Sequence, residues 1–218
     1  METITAQRSL DRRGKTITTF VVFDAAAELQ TMNEGEVLEL VTDDFEPFRA
    51  DISAWCQATG HLLVSSKRIA TENRFLIEKG SPKTKDTRLA MIISDHGLEE
   101  LLSPLGFALG AALEGIDVHL YFQGPAVRVL TKGFRPKLKG WARPFSRFAA
   151  AGMTNEGHIP AQEKLRQLRS LGAHLYVCGG SLQPFKVSRE DLIFDDLPIV
   201  EYLTFMSIME EADIHLYV

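Results

Sequence analysis

The chain reads as α/β in two parts: an N-terminal α+β two-layer βαβαββ domain, then a three-layer doubly wound parallel-sheet domain. Three observations predict this. The stretch Gly80-Ser81-Pro82-Lys83-Thr84-Lys85-Asp86-Thr87 is polar, holds Gly and Pro, and has no apolar period, so it reads as a linker. Before it, short strands and helices alternate and end in a hairpin pair. After it, continuous apolar runs alternate with helical segments, the rhythm of a parallel sheet covered by helices on both faces. The domains are therefore set at residues 1–80 and 88–218, with 81–87 between them.

In the first part, Ser9-Leu10-Asp11 is the end of a first strand. Ile17 to Met32 has helical spacing, with Phe20, Phe23, Ala27 and Leu29 expected on one face, and Asn33-Glu34-Gly35 ends it. Glu36 to Val41 alternates charged and apolar residues, as a half-buried strand does. Asp43 or Asp44 is the expected cap of a second helix through Ala58, closed by Gly60. His61 to Ser65 and Arg74 to Glu78 form the hairpin pair.

In the second part, Leu89 to Ser94 is a strand buried on both faces. A helix follows to Glu114, closed by Gly115, and Asp117 to Phe122 is the next strand. Pro160 to Leu171 is a helix, Ala173 to Val177 a strand, Pro198 to Ala212 a helix and Ile214 to Val218 a last strand. Strand, helix and strand in this order imply right-handed crossovers.

The 218 residues are 45% hydrophobic and 24% charged, with a net charge of −5. That is an ordinary globular composition. It argues against nucleic-acid binding driven by overall charge, so no nucleic-acid partner is expected. Cys56 and Cys178 fall in different parts and make no disulfide framework; reduced thiols suit the cytoplasm. Met1 to Thr5 shows no basic start followed by an apolar core, so no signal peptide is expected. The most apolar stretch, Leu101 to Gly115, includes Ser103, Pro104 and Glu114 and is short of the roughly 20 residues of a membrane helix. No membrane partner is expected.

Cys178 is the residue most suggestive of chemistry. It ends the apolar run Ala173-His174-Leu175-Tyr176-Val177 and is followed at once by Gly179-Gly180-Ser181. Ligands of open α/β sheets gather at the carboxyl ends of strands. A tight turn there, rich in N–H groups, stabilises an anion and favours thiolate over thiol. Gly179, Gly180 and Ser181 are thus the candidate anion-stabilising turn. The alternative is a structural cysteine capping a strand, since free cysteines are often buried. His96, in Ser94-Asp95-His96-Gly97, also follows a strand and is a catalytic candidate, to orient a substrate or help deprotonate Cys178; the alternative is an exposed loop histidine. Gly124-Pro125 is a third carboxyl-edge turn.

An apolar-His-Leu-Tyr pattern occurs three times, around His119, His174 and His215. It raises the question of a metal site. The spacing lacks the close pairing of recognisable zinc motifs, and the first strand of this half is expected to separate His119 from the others. The expectation is no metal and no cofactor. Lys132, Arg135, Lys137, Lys139, Arg143 and Arg147 interleave with Phe134, Trp141 and Phe145. The expectation is a solvated insertion whose aromatics tuck against the core; the functional alternative is a docking face for an acidic protein. Cys56, mid-helix beside Trp55, reads as core. No GxGxxG after a strand, Walker sequence, HExxH or paired CxxC is present.

The first part resembles the TusA (SirA-like) sulfur-carrier family. The resemblance rests on Leu10-Asp11-Arg12-Arg13-Gly14, Gly35-Glu36-Val37-Leu38-Glu39-Leu40, Asp43-Asp44, Asp51-Ile52-Ser53-Ala54-Trp55-Cys56 and Gly60-His61. That family carries sulfur on the cysteine of a Cys-Pro-x-Pro motif, and here those positions read Ile17-Thr18-Thr19-Phe20. The resemblance therefore implies a degenerate copy kept for docking or assembly. The second part is similar to DsrE/DsrF-like proteins, including a branch labelled peroxiredoxin-like. The residues are Cys178-Gly179-Gly180-Ser181-Leu182, Glu190-Asp191-Leu192-Ile193 and Glu211-Ala212-Asp213-Ile214. One departure is Lys186, where many relatives have Gly.

The resemblance implies a sulfur-relay protein, a sulfurtransferase or sulfur carrier, holding sulfane sulfur as a persulfide on Cys178. Its partners would be sulfur donor and acceptor proteins or low-molecular-weight persulfides, and it would form a homo-oligomer. One alternative is a non-catalytic scaffold of a sulfur-transfer complex. The other, a peroxiredoxin-like thiol peroxidase, is disfavoured because no Thr-x-x-Cys motif is present.

Overall fold

The computed structural model describes residues 5–81, 86–155 and 158–218. Linker residues 82–85 lie outside the described residues. The chain divides into two compact units, built mainly from the residues before and after that linker.

The first unit runs β1 (Arg8–Asp11), α1 (Thr18–Gln30), β2 (Val37–Asp43), α2 (Glu46–Thr59), β3 (Leu62–Ile69) and β4 (Glu72–Glu78). This is the βαβαββ order expected. The sheet order is β1-β2-β4-β3, with β1 and β2 parallel and the other pairs antiparallel. The apolar face of α1 is Phe20, Val21, Val22, Ala25 and Leu29; Ala27 is exposed and Phe23 only half-buried, so the face lies about a residue from the one expected. Gly60 closes α2 in the left-handed region at φ 88°. Neither Asp43 nor Asp44 caps that helix. Phe45 is its N-cap, without a side-chain bond. Asp43 belongs to β2 and accepts the Gly14 N–H at 2.5 Å, while Asp44 pairs with Arg68 at 2.5 Å.

The second unit contains β5 (Arg88–Ile93), α3 (Leu98–Leu113), β6 (Asp117–Phe122), α4 (Ser146–Asn155), α5 (Ala161–Ser170) and β7 (His174–Cys178). A single turn, α6 (Gly179–Leu182), is followed by β8 (Ile199–Val200), α7 (Tyr202–Glu210) and β9 (Ile214–Tyr217). The sheet is wholly parallel, in the order β8-β7-β6-β5-β9. Strand order reverses beside β5, which makes the sheet doubly wound. Leu89, Ala90, Met91 and Ile93 are all buried, as a central parallel strand requires.

One segment departs from the expected order. Pro198 to Ala212 is not a single helix. Ile199 and Val200 first pair with Val177 and Cys178 as edge strand β8, and the helix begins at Tyr202. The aromatics of the basic segment also depart from expectation. Phe134 is half-buried, but Trp141 is 88% exposed and Phe145 and Phe148 also face solvent. The interior side of α4 is filled by small residues instead, Ser146 being buried and Ala149 and Ala150 half-buried. Among the described residues, no helix is long and apolar enough to cross a membrane.

Candidate functional site

Cys178 is the last residue of β7 and the N-cap of α6, with φ −69° and ψ 115°. It is 1% exposed. The expected turn at Gly179-Gly180-Ser181 is the start of that one-turn helix, and neither glycine has a positive φ. Gly179 is needed for space. A Cβ there would meet Glu201 Oε1 at 2.7 Å and Ile199 Cγ2 at 3.2 Å. Edge strand β8 thus lays Ile199 and the Glu201 carboxylate against the residue that follows the thiol.

Two phenols flank the sulfur. Tyr121 on β6 is in register with Tyr176 on β7, and Cys178 lies two residues further along the same face. The Tyr121 ring stacks on Phe205 of α7 at 4.7 Å, and Phe205 meets Tyr176 edge-on at 5.7 Å. Tyr202, in the first turn of α7, meets Tyr121 at 6.1 Å. Burial, then the adjoining Cys178 sulfur, raises the Tyr121 pKa. Charge on that sulfur is the chief cause of the raised Tyr202 pKa. Both phenols therefore keep their protons and remain O–H donors. The Tyr121 hydroxyl is buried, faces the Cys178 sulfur and has no nitrogen or oxygen partner. A thiol sulfur is a weak acceptor, so a buried phenol that faces only sulfur calls for an explanation.

The other expected site residues fall at the same sheet edge without bonding to the thiol. Ser181 is buried and its Oγ accepts the Gly124 N–H at 2.8 Å, which ties the turn after β6 to α6. His96 follows β5, two strands from β7, or about 10 Å at the usual strand spacing. Among the described residues, no hydrogen bond joins His96 to Cys178. Its Nδ1 is buried without a hydrogen-bond partner, 3.7 Å from Asp95 Oδ1, and its ring lies 6.4 Å from that of Phe134. Burial lowers its pKa, against the pull of Asp95. Lys139 joins Asp95 at 2.5 Å and Glu100 at 2.9 Å, so that cation of the basic segment is neutralised within the unit.

Lys186 has φ 54°, one of two positive values at non-glycine residues among those described. Val187 N–H bonds to Leu182 O and Lys186 N–H to Gln183 O, the paired bonds of a Schellman closure. Lys186 holds its left-handed position, where glycine is favoured. The Lys186 side chain lines a pocket of about 350 Å³ with Arg128, Lys132, Phe185 and Asp191.

At the opposite, amino-terminal edge of the same sheet, His119 and His174 are register partners on adjacent strands, with rings stacked at 4.5 Å. The expectation that β5 separates His119 from the other two fails for His174, because β6 and β7 are neighbours, and holds for His215, which lies beyond β5 on β9. His215, on β9, lies apart and its Nε2 contacts Met209 O at 2.6 Å. Asp117, two residues before His119, completes a group that the sequence reading did not single out.

In the first unit, Cys56 is buried and its pKa is pushed up to about 12 by that burial. It is an inert core thiol, as expected. Ile17, at the position of the lost carrier cysteine, is the N-cap of α1 and makes no side-chain cap bond. The helix terminus remains, but residues 17–20 carry no thiol.

The architecture is that of a wholly parallel doubly wound domain with a thiol at a strand end, joined to a four-stranded α+β unit. Residues 88–218 match the DsrE/DsrF-like family, to which the chain belongs. Residues 20–79 match sulfurtransferase TusA, beginning at Phe20 and so after Ile17. These two domains assign the chain a general role in sulfur relay. Among solved structures it is similar to the crystal structure of the ychN protein from E. coli, at 14% identity and a TM-score of 0.43, covering 61% of this chain and 99% of that one. No curated protein matches it.

Proposed function

We propose that Cys178 accepts sulfane sulfur as a persulfide and passes it to an acceptor thiol. One observation carries this reading: a strand-end cysteine flanked by two protonated phenols, of which Tyr121 is a buried donor with no nitrogen or oxygen partner. In the first step the Cys178 thiolate attacks the outer sulfur of a donor persulfide. The donor S–S bond breaks, the donor thiolate leaves, and a Cys178 S–S bond forms. In the second step an acceptor thiolate attacks the outer sulfur and Cys178 leaves as thiolate. Bonds and electrons balance over the pair, and no external oxidant is needed. Tyr121 and Tyr202 donate to the sulfur anion; His96 and the α6 backbone N–H groups are the further candidates of this site.

Donor and acceptor proteins, or low-molecular-weight persulfides, are the partners this reading requires. A homo-oligomer and a cytoplasmic setting go with it. The exposed Trp141, Phe145 and Phe148, beside Arg143 and Arg147, form the face that an acidic partner would meet. The TusA domain, lacking its thiol, serves docking rather than carriage. The burial of Cys178 favours a second reading, a non-catalytic scaffold with a structural cysteine. Incubation with polysulfide, followed by intact mass and peptide mapping, separates the two. Sulfur gained on Cys178 and absent from Cys56 supports the carrier, whereas an unloaded and slowly alkylated Cys178 supports the scaffold.

A further inference from the structure

We propose that Asp117, His119 and His174 bind a divalent transition-metal ion at the amino-terminal edge of the parallel sheet. The group lies about 13 Å along β7 from Cys178, four residues at strand rise, and is independent of the sulfur chemistry. The strand period puts Asp117 and His119 on one face of β6, and register puts His174 beside His119 on the same face.

The distances suit a metal. Asp117 Oδ2 is 3.0 Å from His119 Nε2, and Asp117 Oδ1 is 3.6 Å from His174 Nε2. One donor atom from each of the three residues lies within 4.8 Å of the others. Ligand bonds of about 2.0–2.2 Å in a tetrahedral zinc site place neighbouring donors about 3.3 Å apart. The His174 side chain is 55% exposed and stacks on His119 by one face only, which leaves room on its solvent side for the ring to turn and close the remaining separation. Two imidazoles and one carboxylate suit zinc, cobalt, nickel or copper better than calcium or magnesium. Three protein ligands on a half-exposed edge leave a position for water, the pattern of an open site.

The surroundings supply the supports that metal ligands use. His119 is 7% exposed, and its Nδ1 lies 3.1 Å from the Tyr176 hydroxyl. With metal on Nε2, the ring proton moves to Nδ1 and is donated to Tyr176, which fixes the ring. Arg88 Nε donates to Asp117 Oδ2 at 2.9 Å and orients the carboxylate. The Arg88 charge does not oppose the ion alone, because Glu211 meets Arg88 Nη1 at 2.5 Å.

Calorimetric titration of the chelator-treated full chain with Zn²⁺, paired with the visible spectrum of its Co²⁺ form, tests this. The expected result is one ion per chain and the intense bands of low-coordinate Co²⁺. Affinity should fall at least tenfold in His174→Ala and in Asp117→Asn, whose altered groups are partly exposed, and stay unchanged in Cys178→Ser. Tyr176→Phe should weaken binding by about tenfold, as loss of an outer-shell bond does. No stoichiometric binding, binding unaffected by His174→Ala, or binding lost in Cys178→Ser would each overturn the assignment.

Discussion

Tyr121 holds its hydroxyl beside the Cys178 sulfur, buried and without a nitrogen or oxygen partner. In the free-thiol state that donor is a cost. A persulfide adds an anionic sulfur that the donor can reach. Tyr121→Phe should therefore leave the resting protein about 1 kcal/mol more stable, by relief of an unmet donor. The same change should shorten the lifetime of the Cys178 persulfide about tenfold, since bonds to charged groups are worth roughly 1.5–3 kcal/mol. Chemical denaturation and timed mass spectrometry read the two effects. A destabilised variant with normal persulfide lifetime would remove Tyr121 from the account.

Glu201 lies against Gly179 and contributes to the raised pKa values of both Tyr121 and Tyr202. Its charge opposes an anion on the sulfur. Glu201→Gln should speed iodoacetamide alkylation of Cys178 roughly three- to tenfold at fixed pH, the range a nearby partly screened charge gives. Stopped-time alkylation with peptide mapping measures it. An unchanged rate would mean that the carboxylate and the sulfur do not interact.

Lys186 occupies a left-handed position that suits glycine. Lys186→Gly relieves strain of about 1–2 kcal/mol but adds freedom to the unfolded chain. The expected net is a gain of about 0.5 kcal/mol, whereas Lys186→Val should cost more than 1 kcal/mol. Thermal unfolding of both variants gives the comparison, and equal effects would show that backbone conformation does not govern this position.

His61 gives the first unit a pH dependence. Its Nδ1 accepts the Gly80 N–H at 3.2 Å, its ring lies 5.3 Å from Trp55, and burial lowers its pKa. Below about pH 6.5 the unfolded chain takes up the proton more readily than the folded one. Stability contributed by neutral His61 is therefore present above that pH and lost as pH falls. Urea denaturation followed by Trp55 fluorescence, in a Trp141→Phe background, should show the loss as pH falls below about 6.5. His61→Gln should flatten that dependence.

Much of the fold was legible because it rests on local pattern. Buried strands such as Leu89–Ile93 are continuous apolar runs, and Gly60 marks a helix end. The edge strand β8 was not legible, because two residues carry no period and Ile199-Val200 becomes a strand only by pairing with β7. Cys178 was legible as a strand-end thiol. Tyr121 and Tyr202 were not, since they reach the sulfur from other elements through register and helix packing, and Glu201 was not, since edge pairing brings it against Gly179. The repeated Tyr after His-Leu was the available signal for Tyr121. Asp117 was hidden for a similar reason: only pairing of β6 with β7 sets His174 beside the Asp-x-His of one strand.

The most direct measurement is sulfur loading of the intact chain by polysulfide, followed by mass spectrometry, in wild type and Cys178→Ser. The account predicts one added sulfur on Cys178, none on Cys56, transfer of that sulfur to an added thiol, and no loading in a folded Cys178→Ser. Equal loading of the two proteins, or none in either, would contradict it.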